Sequence, residues 1–198
     1  MIKKFIDKLL GKSTPGTSGG KPHFGKREEV PASVHGINPE LVDRRAADVV
    51  ATLKQAGFEA YIVGGAVRDL LLGLRPKDFD VATNATPEQV KGLFRRAFII
   101  GKRFRIVHVV HGRGREHEVI EVSTFRAYLD NAAAGQVAGN EKTSKAQLSG
   151  MQHAVDASGR VLRDNVWGPQ DEDATRRDFT VNAMYYDPET QVVVDYHK

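Results

Sequence analysis

The stretch Tyr61 to Thr83, YIVGGAVRDLLLGLRPKDFDVAT, constrains this chain more than any other. It reads as a short apolar strand (Tyr61, Ile62, Val63), a Gly64-Gly65 turn, a helix from Ala66 to Leu72, a loop through Gly73 and Pro76, and a second strand carrying Asp78 and Asp80. Paired glycines after a strand let the backbone turn without Cβ clashes and bring N–H groups close to a ligand. The start of the following helix offers further unpaired N–H groups, so the unit suits a phosphate. Arg68, one turn in, adds a planar fork of donors. Side chains two apart on a strand share a face, which sets Asp78 beside Asp80 and turns Phe79 into the core. Neighbouring carboxylates repel, and hard oxygen donors favour Mg²⁺. A lone Gly-Gly is usually only a turn and a lone Asp-x-Asp usually solvated. Together they describe phosphoryl or nucleotidyl transfer.

At this point the residues carry a resemblance. GGAVRD followed by DFD, with GKRFRIVHV (101 to 109), IEVSTFR (120 to 126) and RRDFTVNAMYY (176 to 186), resembles the head domain of class II nucleotidyltransferases of the polymerase β superfamily. That group contains bacterial poly(A) polymerases and CCA-adding enzymes. The resemblance implies an α+β fold, a mixed and mostly antiparallel sheet with helices on one side. It also implies template-independent transfer of a nucleoside monophosphate from ATP to an RNA 3′-hydroxyl, with two Mg²⁺ ions on Asp78 and Asp80. Gly64, Gly65, Arg68 and Arg176 are expected to hold the nucleotide, with Lys102 and Arg103 as weaker candidates. Glu121 or Asp178 is expected to complete the metal centre. The long basic extension and the text RPKDFDVATNATPEQV are closer to poly(A) polymerase than to CCA-adding enzymes, which remain the alternative. A non-catalytic head that binds nucleotide or RNA is the second alternative.

Length and charge set the rest. A chain of 198 residues without cysteine supports one sizeable core and excludes disulfides and thiolate metal sites, compatible with a reducing, cytoplasmic setting. The net charge of +4 is concentrated in residues 1 to 30, which hold seven Lys and Arg against Asp7, Glu28 and Glu29. Residues 1 to 10 place Ile2, Phe5, Ile6, Leu9 and Leu10 at helical spacing opposite lysines. This reads either as a basic amphipathic helix for a membrane surface or protein partner, or as a frayed terminal helix. Residues 1 to 37 are expected to be a basic, largely disordered extension, and 38 to 198 the head domain.

Within that domain, Asn38-Pro39 is expected to start a helix ending at Gly57. Thr86-Pro87-Glu88-Gln89 reads as a capping box, and Ile106 to Val110 with His117 to Thr124 as a hairpin. Tyr128 to Arg160 is expected to be a long mobile loop, and DEDATRRDFTVNAMYY a helix. His108, His111 and His117 match no zinc spacing. The resemblance implies that base selection lies with a helical neck and body, which are expected to be absent from these 198 residues. Oligomeric state is not legible.

Overall fold

The computed structural model describes residues 23–128, 135–136, 153–155, 161–164 and 166–198. In chain order the elements are β1 (Glu28–Val30), α1 (Ala32–His35), a 3₁₀ turn (Pro39–Leu41), α2 (Arg44–Gln55), β2 (Ala60–Val63), α3 (Gly65–Leu71), β3 (Asp80–Thr83), α4 (Pro87–Leu93) and β4 (Ala97–Ile100). Then come β5 (Ile106–His111), β6 (Glu118–Thr124), β7 (Gly135–Gln136), β8 (His153–Val155), β9 (Val161–Asp164), α5 (Gln170–Arg176), a second 3₁₀ turn (Thr180–Asn182), β10 (Tyr185–Asp187) and β11 (Val192–Asp195).

Eight strands form one sheet in the order β1-β11-β10-β2-β3-β6-β5-β4. Every neighbouring pair is antiparallel except β3 with β6, which is parallel and sets Asp80 opposite Glu121. Strand alternation divides the core in two. Ile62, Val81, Val107, Val122, Tyr186 and Val193 face α2, α3 and α4. Val63, Ala82, Tyr185 and Val194 face the other way, where Ala174 of α5 packs on them. Helix α2 forms because Ala46, Val49, Val50 and Leu53 make one apolar stripe, each residue fully buried. Burying a Val or Leu side chain is worth about 1.5–3 kcal/mol, so this stripe outweighs the modest helix propensity of its valines.

The local signals at α4 are realised. Thr86 Oγ1 accepts from Gln89 N at 3.3 Å while Gln89 Oε1 accepts from Thr86 N at 2.9 Å, a closed capping box. Elsewhere the structure departs from the sequence reading. Asn38 and Pro39 start only a 3₁₀ turn, because Val42 and Asp43 return to extended backbone. Asp43 Oδ1 then caps α2 by accepting from Arg45 N at 2.8 Å. The strand expected to carry both aspartates begins at Asp80, leaving Asp78 in the preceding loop, although Phe79 is buried as expected. The helix expected through Tyr186 stops at Arg176, because Tyr185 and Tyr186 alternate between the two sides of the sheet and their backbone pairs with β2 and β11. Ordered chain also starts before residue 38: β1 pairs with β11 at the sheet edge.

Within 128–160, β7 and β8 join β9 in a small three-stranded sheet, so its described parts are not structureless loop. The rest of that stretch and the terminal helix expected at residues 1–10 lie outside the described residues.

Candidate active site

The site grows from the turn between β2 and α3. Gly64 adopts φ 79°, ψ −146°, a conformation closed to residues with a Cβ. It brings backbone against Asp80, whose Oδ2 lies 3.8 Å from the position a Cβ would take. Arg68 folds back over Gly65, its Nη2 3.2 Å from the corresponding point there. The guanidinium is fixed from two sides. Its Nε and Nη2 donate to Asp69 Oδ1, both at 3.1 Å, and Nη1 donates to Asn182 Oδ1 at 3.1 Å.

Asp80 stands where three recesses meet. One, of about 580 Å³, is shared with Gly65, Arg68, Lys77 and Asp78. A second, of about 590 Å³, is lined by Gly64, Gly65, Phe104, Arg126, Arg176 and Asp178, among others. The third is a tighter cavity of about 220 Å³ that Asp80 shares with Glu121, Ser123, Asp173, Arg176 and Arg177. Although Asp80 touches solvent, enough of its carboxyl is enclosed that burial pushes its pKa up to about 6. The negative charges of Glu121 and then Asp78 add to the rise, while Arg177 opposes it. Glu121 is thus the strongest charge acting on Asp80. Its own Oε2 lies 3.6 Å from His108 Nε2.

The expected residues do not all meet at one point. Gly64, Gly65, Arg68, Arg176, Asp78, Asp80, Glu121 and Asp178 line recesses that converge on Asp80. Asp178 sits on an exposed loop at the rim of the larger cleft. Lys102 and Arg103 lie in the β4–β5 turn and line none of the three recesses. Phe104 comes in instead, with the guanidinium of Arg126 4.4 Å from its ring centre.

The sequence reading also missed a buried support. Asp173 Oδ2 accepts from Arg177 Nη2 at 3.0 Å and from the Tyr185 hydroxyl at 2.7 Å, while its Oδ1 accepts from Arg126 N at 3.0 Å. Burial pushes the Tyr185 phenol far up, so it stays a donor. This network holds Arg177 against the cavity, and the i, i+4 spacing of Asp173 and Arg177 was the available signal.

Residues 60–198 match the family model described as the poly A polymerase head domain. The chain belongs to that family. This head domain is 47% identical over 168 residues to a poly(A) polymerase I of Haemophilus influenzae, covering 84% of this chain and 33% of the relative. It is 36% identical over 149 residues to a CCA-adding enzyme of Lactobacillus helveticus, covering 75% of this chain and 30% of the relative. The head domain therefore spans about a third of the length of the curated relatives it matches. Among solved structures, a CCA-adding enzyme in apo form II matches with a TM-score of 0.56 at 19% identity, covering 85% of this chain and 35% of the other, a likeness of fold.

The acidic corner of the head domain fits a divalent cation by its chemistry. Asp80, Asp78 and Glu121 offer only hard oxygen donors, and their mutual repulsion on a partly enclosed carboxyl is what a cation relieves. Among the described residues no group of three or more acidic or histidine side chains is already closed around a single point. Mg²⁺ typically takes one or two carboxylates and keeps several waters, so a preformed cage is not needed.

Proposed function

We propose that this head domain transfers AMP from ATP to the 3′-hydroxyl of RNA with release of pyrophosphate. The observation that carries the reading is the position of Asp80. It shares its recesses with Asp78, with Glu121, with the Gly64 turn and with Arg176 and Arg177. Family membership and the higher identity to a poly(A) polymerase I than to a CCA-adding enzyme support polyadenylation over CCA addition.

Each part of the site has a task in that reaction. Gly64 and Gly65 let the triphosphate approach the backbone. Arg68, held by Asp69 and Asn182, meets it without having to be ordered at the moment of binding. Arg177, fixed by Asp173, and Arg176 balance the charge that accumulates on the phosphoryl oxygens. Asp78, Asp80 and Glu121 would hold Mg²⁺, because the charges of Glu121 and Asp78 act on Asp80, whereas Asp178 sits on an exposed loop. When bound, Mg²⁺ neutralises charge on both the attacking oxygen and the triphosphate. The 3′-oxygen forms a bond to the α-phosphorus, the bond from that phosphorus to the bridging oxygen breaks, and pyrophosphate departs with the electron pair. The hydroxyl proton leaves to the acidic corner or to water.

The test is incorporation of labelled nucleotide into oligo(A) RNA and into tRNA lacking its 3′ end, with ATP alone or with CTP. Open-ended addition of A that disappears in the Asp78→Ala, Asp80→Ala double variant is the expected result. Addition of C in a defined number would replace this reading with the CCA-adding one. Binding of ATP without pyrophosphate release would reduce the chain to a nucleotide-binding head.

A further inference from the structure

The functional face of the sheet does not stop at the recesses around Asp80. Across the strand pairings, Asp80 of β3 stands beside Glu121 of β6, Glu121 beside His108 of β5, and His108 beside Phe98 of β4. The next row on the same side runs through Ala82, Ser123, Ile106 and Ile100. The row between them, Val81, Val122, Val107 and Ile99, packs into the helix-covered core. Alternation therefore puts Phe98 and Ile100 on the same side as the acidic corner. Around β2 and β10 that side is covered by α5, whereas at the β4 edge Phe98 is 56% and Ile100 37% exposed.

An exposed phenylalanine and isoleucine on an edge strand are a liability unless something uses them. The charge around them says what. Residues 95 to 115 contain seven Lys and Arg and no Asp or Glu. Lys102, Arg103 and Arg105 lie at one end of β5, and Arg113 and Arg115 follow its other end. An aromatic sheet surface between basic turns is how single-stranded nucleic acid is held, with bases on the ring and phosphates on the cations.

We propose that the 3′-terminal nucleotides of the RNA acceptor lie along this row, with the 3′-hydroxyl at the acidic corner and an upstream base stacked on Phe98. This rests on the reading of the site as an RNA nucleotidyltransferase. Glu121, lying on the path, repels phosphate and turns the bases rather than the backbone toward the sheet. Strands about 4.8 Å apart place Phe98 roughly 14 Å from Asp80. At a rise of about 3.4 Å per stacked nucleotide this is a reach of about four nucleotides.

That reach supplies a test independent of turnover. Fluorescence anisotropy measures binding of labelled oligo(A) of two and of eight nucleotides to this chain, to Phe98→Ala and Phe98→Trp, and to Val34→Ala as a control at an exposed site elsewhere. The octamer should bind Phe98→Ala at least fivefold more weakly, with Phe98→Trp restoring affinity and Val34→Ala unchanged. The dinucleotide, too short to reach, and ATP should bind all four proteins alike. Equal octamer affinity for wild type and Phe98→Ala overturns the proposal. So does an equal loss for octamer, dinucleotide and ATP, which would mark damage to the fold. Self-association lost in Phe98→Ala without a change in RNA affinity would make the edge a protein contact instead. If the wild-type chain binds ATP but no oligonucleotide, the RNA-acceptor reading itself fails.

Discussion

The two sides of the sheet are made from alternate residues of the same strands, and they treat charge in opposite ways. The side under α2, α3 and α4 is closed with the aliphatic side chains of Val81, Val122, Val107 and Ile62. The other side carries Asp80 one residue before Val81, Glu121 one residue before Val122, and the Asp173–Arg177 pair above them. Along β3 and β6 the pleat thus sets the acidic residues and the helix-covered core on opposite sides of the sheet. Two carboxylates, Asp43 at the N-cap of α2 and Asp80 at the start of β3, show how placement sets the fate of a charge. Burial tends to raise the pKa of Asp43, but hydrogen bonds from the Arg45 side chain and amide outweigh it and hold the group below its ordinary value. Asp80 has burial and like charges acting together and is raised. Asp43 is placed where its charge stabilises the fold; Asp80 is placed where its charge costs stability until a cation arrives.

Substitutions on the two sides should separate accordingly. The largest effect belongs to Asp80→Asn, for which labelled AMP incorporation should fall by roughly 10³-fold or more, about 4 kcal/mol of barrier, without loss of thermal stability. Asp173→Ala should cross the divide. Leaving the partly buried Arg177 and the Tyr185 hydroxyl without their carboxylate costs on the order of 3 kcal/mol in chemical denaturation, and ATP affinity should fall with it. Leu53→Ala, on the helix side, should cost about 2–5 kcal/mol while ATP affinity measured below the transition stays at the wild-type value. A fall in affinity there would show that the sides are not independent. The smallest effect is Asp43→Ala, about 1 kcal/mol at pH 7. A carboxylate with a depressed native pKa contributes its stability above the unfolded value near 3.8 and loses it as pH falls through the native value. The Asp43→Ala deficit should therefore shrink in denaturation curves taken below about pH 4.

What the sequence disclosed depended on how far apart the cooperating residues lie. The Thr86 capping box and the Gly64 turn are local and readable from a few residues. The approach of Asp80 to Glu121 requires a parallel pairing across some forty residues, and no local pattern encodes it; Glu121 entered through family resemblance. Tyr185 and Tyr186 fall in a stretch that reads as a helix because Arg176, Thr180 and Ala183 share one helical face. Their alternation between the two clusters shows that the period is two. The basic stretch at 95 to 115 was hidden by charge totals, since the acids that cancel it lie elsewhere in the chain. The i, i+4 spacing of Asp173 and Arg177 is legible in the sequence, but its weight is not. Their importance comes from burial beside Tyr185, which only the fold supplies.

The most direct measurement is the melting temperature of wild type and Asp80→Asn at pH 7.5, each in EDTA and in millimolar Mg²⁺. If the acidic corner is a cation centre maintained against stability, Asp80→Asn melts at or above wild type in EDTA, and Mg²⁺ raises wild type alone. A variant that melts several degrees below wild type in EDTA, or an equal Mg²⁺ shift in both proteins, would contradict that account.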